Sequence, residues 1–185
     1  MQGEGANIGK WVTFVRLSGC NLKCPWCDTN HEMRASMTEK QIISEVKKQG
    51  LDRMIITGGE PMRQNLIPLL REAKARDIWI GLETNGTYDL SKVRGLIDYI
   101  SVSPKGKIKQ SIKVDEIRIP TGKTIDLEWI NSIPQKIDAK RYLLSPIEKN
   151  KKFFLFETMT ALGFLNRKRI KWQLSLQAHK LCGIK

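Results

Sequence analysis

Along almost its whole length the chain alternates short β-branched runs with amphipathic stretches, and this order of elements narrows the fold more than anything else in it. Strands are predicted at Lys10–Leu17, Arg53–Thr57, Ile78–Glu83, Tyr99–Ser103, Asp115–Ile119, Arg141–Leu144 and Trp172–Leu176. Between them a helix opens at Met37-Thr38 and runs to about Gln49. Thr38 is its N-cap, Gln41 completes a capping box, and Gly50 ends it. Further helices are predicted over about Leu66–Arg76, with Pro68 tolerated in the first turn, and over Ser91–Ile97, Ile125–Ser132 and Phe153–Leu165. Strands separated by helices must lie mostly parallel. About six such repeats predict an α/β fold: a partial, open barrel with about six core strands and few short helices. No internal repeat or low-complexity segment appears, so residues 1–185 are expected to form one domain.

In such a fold chemistry gathers at the carboxyl ends of the strands. The distinctive motifs obey that rule. Gly19-Cys20-Asn21-Leu22-Lys23-Cys24-Pro25-Trp26-Cys27-Asp28-Thr29 follows the first strand, and Thr57-Gly58-Gly59-Glu60-Pro61 follows the second. Thr84-Asn85-Gly86 follows the third and Ser103-Pro104-Lys105 the fourth. Three of the four cysteines fall in the first of these loops, spaced C-x3-C-x2-C. Thiolates suit iron–sulfur clusters, zinc and Cu(I). A [4Fe–4S] cube ordinarily takes four cysteines, so three would leave one iron open to another ligand. Cys20, Cys24, Cys27 and His31 would equally make a Cys3His zinc tetrahedron, and spacing alone leaves both readings open. A disulfide is the weaker reading, since three grouped thiols leave one unpaired. Cys182 stands apart and reads as a buried or spectator thiol.

Composition limits the partners. No apolar run approaches the ~20 residues of a membrane helix, and four cysteines without a signal-peptide pattern predict a reducing cytoplasm. The net charge of +13 is unevenly placed: residues 1–100 carry 14 basic against 12 acidic residues, and residues 101–185 carry 18 against 7. The runs are Lys105, Lys107, Lys109, Lys113, then Lys149, Lys151, Lys152, then Arg167, Lys168, Arg169, Lys171. No aromatic residues interleave the first run, so there is no stacking platform for single strands. A solvated surface with no specific nucleic-acid partner is the expectation.

C-x3-C-x-aromatic-C after a hydrophobic strand resembles the radical S-adenosylmethionine (SAM) superfamily. More motifs occur in order: Gln2-Gly3-Glu4-Gly5, Phe14-Val15-Arg16-Leu17-Ser18-Gly19-Cys20-Asn21-Leu22, Trp26-Cys27-Asp28-Thr29, Thr57-Gly58-Gly59-Glu60-Pro61, Glu83-Thr84-Asn85-Gly86-Thr87, Ser103-Pro104-Lys105 and Leu174-Ser175-Leu176-Gln177-Ala178-His179-Lys180. Together they resemble the 7-carboxy-7-deazaguanine synthases, a family of the queuosine and 7-deazapurine pathway, and the likeness covers residues 2–180. The resemblance implies the same open barrel. It implies a [4Fe–4S] cluster on Cys20, Cys24 and Cys27, whose open iron chelates the amino and carboxylate groups of SAM.

By the same resemblance SAM is held by Trp26, Cys27, Asp28, Gly59, Glu60, Ser103, Pro104, Lys105, Ser145, Pro146, Ile147 and Glu148, although the family's Gln-Pro-Ile is Ser145-Pro146-Ile147 here. Gln2, Gly3, Glu4, Arg16 and Thr57 match its contacts to a carboxylated tetrahydropterin, Thr57 and Thr84 offering hydroxyls, and Thr29 matches its Mg2+ ligand. The chemistry suits them: a carboxylate accepts from the guanidine-like edge of a pterin, an arginine meets its carboxylate, and Mg2+ prefers oxygen. The resemblance also implies a reducing electron donor such as flavodoxin or ferredoxin, and a homodimer. Relatives carry a strand before Gln-Gly-Glu-Gly, whereas this chain begins Met1-Gln2, so that edge strand is expected to be missing. His31 and His179 are family-like but receive no catalytic role. Two other readings stand beside this one: a glycyl-radical activase with the same cysteine spacing, and a basic zinc-containing RNA-binding module.

Overall fold

The computed structural model describes residues 1–106, 108, 113–167 and 170–184. Of the basic runs, Lys107, Lys109, Lys168 and Arg169 lie outside the described residues. Six strands and four helices come first: β1 (Thr13–Leu17), α1 (Glu39–Lys48), β2 (Arg53–Gly58), α2 (Ile67–Lys74), β3 (Trp79–Thr84), α3 (Ser91–Arg94), β4 (Tyr99–Val102), β5 (Val114–Thr121), α4 (Leu127–Lys136) and β6 (Ala139–Pro146). A two-stranded hairpin, β7 (Glu148–Lys149) and β8 (Lys152–Phe153), leads to α5 (Leu155–Leu165), β9 (Trp172–Leu174) and α6 (Ala178–Leu181).

Seven strands form one sheet in the order β1-β2-β3-β4-β5-β6-β9, parallel throughout. Each new strand is laid beside the last, and among the described residues no pairing joins β9 back to β1. The result is the open α/β barrel expected from the alternation. No helix among the described residues is long and apolar enough to cross a membrane.

The pleat gives the sheet two unlike faces. On one, the registers Met54↔Ile80, Ile56↔Leu82, Leu82↔Ile100, Val102↔Ile117 and Tyr142↔Trp172 make an apolar floor. Ile43, Val46, Leu69, Leu70, Ile130, Ile133, Leu162 and Leu165 of the helices pack onto it. Each fully buried aliphatic side chain of this kind stabilises by roughly 1.5–3 kcal/mol. On the other face the registers Glu83↔Ser101, Ser101↔Glu116 and Arg118↔Leu143 carry polar groups inward.

Local signals mostly hold. Thr38 accepts from the Gln41 N–H while the Gln41 side chain accepts from the Thr38 N–H, and Gly50 ends the turn at φ 68°. Several bounds differ from expectation: α3 ends at Arg94 rather than Ile97, β6 runs over Ala139–Pro146 rather than Arg141–Leu144, and β9 stops at Leu174 rather than Leu176. β1 begins at Thr13 rather than Lys10, because the Lys10 carbonyl accepts from Gln2 N–H at 2.8 Å and its N–H donates to Asn7. α4 passes through Pro134 to Lys136 rather than stopping at Ser132, since Ile133 and Ile137 are buried in the core on that last turn. The missing proline N–H is offset by that burial. The hairpin turns on Asn150 and Lys151, both at positive φ, a pairing that only its asparagine signals.

Candidate functional site

The cysteine loop is fixed by backbone before any side chain acts. Gly59 N–H donates to Leu17 O and Glu60 N–H to Gly19 O, both at 2.9 Å, while Gly19 N–H donates to His31 O at 2.7 Å. The two loops meet so closely that a Cβ on Gly59 would stand 1.9 Å from Gly19 O. Only glycine fits there. Arg63 donates to Cys20 O at 3.2 Å, and Asn21 bridges to Thr87 and Asn85, each at 2.9 Å. Glu60 is buried and accepts from Thr84 Oγ1 at 2.6 Å, Asn85 N–H at 2.7 Å and Met62 N–H at 3.0 Å. The Gly-Gly-Glu-Pro carboxylate thus ties the loops after β2 and β3 together. Thr84, expected to offer its hydroxyl to substrate, turns it to Glu60 instead.

Cys20 and Cys24 are partly exposed, Cys27 is exposed, and all three are free thiols. Burial pushes the Cys24 thiol up, the Lys105 charge opposes it, and neighbouring Cys27 and Cys20 add to the rise. The three sulfurs and one ammonium therefore share one electrostatic neighbourhood. Among the described residues no three His, Cys, Asp or Glu side chains converge on a point where one metal ion could sit. His31 contributes its backbone carbonyl to Gly19, and the Cys3His tetrahedron is not assembled. A cube puts each cysteine on a separate iron, which three spaced, soft donors on one loop fit. Cys182 is exposed at the end of α6, well along the chain from them.

Some of the residues expected around SAM meet this loop: Gly59 and Glu60 through the backbone, Lys105 through its charge beside Cys24, and Glu148 through Lys180. Trp26 is half exposed on it. Lys105 donates to the Ser103 carbonyl at 3.1 Å and to the Ser103 hydroxyl, and burial pushes its ammonium down to about 8. Ser145 and Pro146 are buried at the end of β6. Asp28 and Glu148 are brought together by Lys180 of α6, at 2.5 and 3.6 Å. Burial raises Asp28, but Lys180 and Gln177 outweigh it and hold the carboxyl below its ordinary range. Thr29 Oγ1 lies 3.4 Å from Asp28 Oδ1.

The inner face of the sheet holds a second constellation. Gln2 donates to Glu83 Oε1 at 2.9 Å, Thr57 donates to Glu83 Oε2 at 3.0 Å, and Gln177 donates to Glu4 Oε1 at 2.7 Å. The first residues are drawn in by Gly5 N–H to Ser175 Oγ at 2.9 Å, Ala6 N–H to Glu116 Oε2 at 2.8 Å and Ala178 N–H to Gly3 O at 2.9 Å. His179 packs where a Cβ on Gly3 would stand. Arg118 meets three carboxylates: Glu4 at 3.2 Å, Glu83 at 2.9 Å and Glu116 at 3.5 Å. Burial drives Glu83 up, and the Arg118 charge, with hydrogen bonds from Arg118, Gln2 and Thr57, brings it below the ordinary carboxylate range. A cavity of about 10 Å³, the room of roughly one water, remains among these groups. Arg16 shares the face by its register with Thr57, yet it is exposed, its guanidinium 4.8 Å from the Phe14 ring.

The structure therefore brings Gln2, Gly3, Glu4 and Thr57 to one face, and Arg16 shares that face from an exposed position. Sequence reasoning missed Glu83, Glu116, Arg118, Ser175 and Gln177 as members of this site. The available signal was the charged run Asp115-Glu116-Ile117-Arg118 within one predicted strand.

Spaced thiols on the first loop of an open parallel sheet are the requirement of a radical SAM enzyme, and residues 14–106 match the radical SAM superfamily. Relatives make the class more specific. A 7-carboxy-7-deazaguanine synthase of Haemophilus influenzae is 40% identical over all of this chain and 90% of its own length. That of Neisseria meningitidis is 38% identical with the same coverage. The crystal structure of QueE from Escherichia coli shares the fold with a TM-score of 0.72, at 23% identity over 97% of this chain and 90% of that one. The chain belongs to the 7-carboxy-7-deazaguanine synthase family. It is a radical SAM enzyme, which brings with it a [4Fe–4S] cluster, SAM, a reductant and a small-molecule substrate.

Proposed function

We propose that this chain converts 6-carboxy-5,6,7,8-tetrahydropterin to 7-carboxy-7-deazaguanine with loss of ammonia, a carbon–nitrogen lyase reaction. The observation that carries the reading is the meeting of Gln2, Glu4, Thr57 and Glu83 on the inner face of a sheet whose first loop holds three free cysteines. When bound, the cluster and SAM would supply the radical chemistry for removing hydrogen at C6 of the substrate. Cys20, Cys24 and Cys27 hold the cluster. Trp26, Cys27, Asp28, Gly59, Glu60, Ser103, Pro104, Lys105 and the Ser145–Glu148 turn position SAM; for Glu60 and Gly59 that positioning runs through the loops they brace.

Glu4 and Glu83 accept from the donor-rich edge of the pterin, each having lone pairs left after its protein partners are counted. Gln2 and Gly3 shape the floor beneath it. Arg118 has each of its guanidinium nitrogens committed to a carboxylate, so Arg16 is the arginine left to receive the substrate carboxylate. Thr29, at the mouth of the cysteine loop, offers a hydroxyl oxygen to Mg2+ beside that carboxylate. A single domain, a homodimer, a flavodoxin- or ferredoxin-type donor and a cytoplasmic setting complete the reading.

The test is anaerobic reconstitution with iron and sulfide, then mass spectrometry of products from SAM and the tetrahydropterin. Formation of the deazaguanine acid with about four iron per chain is expected. Stoichiometric zinc with no iron uptake, or intact tetrahydropterin beside active SAM cleavage, would overturn it.

A further inference from the structure

Three carboxylates face one buried guanidinium on the inner sheet face, and the guanidinium is shared unequally in what it leaves open. Glu116 is closed off: it is 1% exposed and accepts from Tyr99, Ser101 and Ala6 as well as facing Arg118. Glu4 and Glu83 keep exposed edges, 19% and 23%. These are the two that can receive a ligand.

We propose that Arg118 is the positioning residue of the substrate pocket, holding Glu4 and Glu83 negatively charged and oriented toward the donor edge of the ligand while never touching the ligand itself. This rests on the pterin reading above. The geometry explains the choice of residue. A planar fork engages separate carboxylates through separate nitrogens, here Nε to Glu4, Nη2 to Glu83 and Nη1 to Glu116. A lysine is a point charge and reaches fewer of them. Without a cation, like charges this close disfavour ionisation, and burial does the same. The other titratable or charged groups near this set are Tyr99 on β4, Lys105 beyond β4, Arg141 on β6 and His179 on α6, which packs against Gly3. Tyr99 is a donor to Glu116, and Arg141 is exposed; neither replaces Arg118 between Glu4 and Glu83.

The experiment compares wild type, Arg118→Met, Arg118→Lys and the double variant Arg118→Met/Glu116→Gln as anaerobically reconstituted holoenzymes. Substrate KM and kcat are read from about pH 6 to 9, a window over which an ordinary glutamate stays ionised. Infrared spectra of ¹³C-glutamate-labelled protein are recorded without substrate, to detect a protonated carboxyl. Wild type should show no such band, and its KM profile over the same window is the baseline against which each variant is read. Arg118→Met should raise KM about tenfold or more near neutrality, the scale of one charged hydrogen bond. That rise should shrink as pH increases, accompanied by a protonated-carboxyl band, with iron content, SAM binding and kcat little changed. Lysine should lie between, and the double variant should recover part of the loss. A pH-independent KM equal to wild type, or a parallel fall of KM, kcat and SAM binding with no infrared band, would overturn the proposal. Should the methionine variant not fold, the lysine variant decides by the same two readouts. A wild type that ignores the tetrahydropterin would sink the pterin reading, yet the infrared band still decides what Arg118 does to Glu83.

Discussion

Replacing Glu60 by Gln tests whether the Gly-Gly-Glu-Pro carboxylate is a stitch between loops. The side chain is 1% exposed and accepts three hydrogen bonds, two at Oε1 and one at Oε2. Glutamine keeps only one acceptor oxygen. If that oxygen faces Thr84 and Met62, the new NH2 group points at the Asn85 N–H, donor against donor. Flipping the amide sets its NH2 group against the Met62 N–H instead, and leaves the Thr84 hydroxyl proton without its acceptor. One charge-assisted bond is lost and one buried N–H is left unsatisfied, which together cost roughly 3 kcal/mol. For a chain of this size each kcal/mol lowers Tm by about 2–4 °C, so the expected fall is about 6–12 °C. Glu60→Ala strands all three donors and should approach a large part of the roughly 5–15 kcal/mol that holds a domain folded. Thr84→Val removes a single donor and should cost less than either. Anaerobic thermal unfolding followed by circular dichroism measures each variant, with and without the cluster. A Glu60→Gln chain that melts within about 1 °C of wild type would refute the stitch.

Cys27→Ala should lose the cluster absorbance and all SAM cleavage, while Cys182→Ala keeps both; equal iron content in the two variants would contradict the assignment. Thr29→Ala should retain cluster and SAM binding but lose Mg2+ stimulation of turnover, checked by product formation against Mg2+ concentration, and undiminished stimulation would remove Thr29 from the metal site. The Lys180 clasp on Asp28 and Glu148 has a definite pH sense. Asp28 is depressed, so its contribution is present above its unfolded value and disappears as pH falls through the lower folded one. Burial pushes Lys180 down, but Asp28 and Glu148 outweigh it and leave it raised, so its contribution disappears only as pH rises past the ordinary lysine range. Lys180→Met should therefore speed hydrogen exchange of residues 177–184 at neutral pH, where wild type is clasped; equal protection would dismiss the clasp.

How much of this was legible in the sequence depends on which face a residue serves. The floor of Met54, Ile56, Ile80, Leu82, Ile100 and Ile117 was readable, because apolar runs of strand length next to amphipathic helices have few other uses. The loops were readable because glycine and cysteine sit at strand ends for reasons local to those loops. Gly59 is an example: the 1.9 Å approach to Gly19 O demands it. The inner face was not readable. A Glu or Arg at alternate strand positions looks like a solvated edge until neighbouring strands show that the face is enclosed, and that is the case of Glu116 and Arg118. The end of α4 was not readable either, since Ile133 and Ile137 in the core carry the helix through Pro134, past the expected end at Ser132.

The site joins the two ends of the chain, and that has a consequence for when it can exist. Glu4 receives its hydrogen bond from Gln177, and Gly5 from Ser175, separations of 173 and 170 residues. The backbone braces of the cysteine loop and the Asn21 and Arg63 contacts, by contrast, reach no further along the chain than Thr87, and only the Lys180 clasp on Asp28 comes from the far end. Closing so long a loop is entropically expensive and slow compared with local contacts. A nascent chain emerging from the ribosome therefore presents its three thiols on a loop braced by the first strands while the inner-face constellation around Glu4 is still unbuilt. Pulsed proteolysis of stalled chains would read that interval directly, as cleavage near Glu4 and Gly5 that stops once residue 177 has been released.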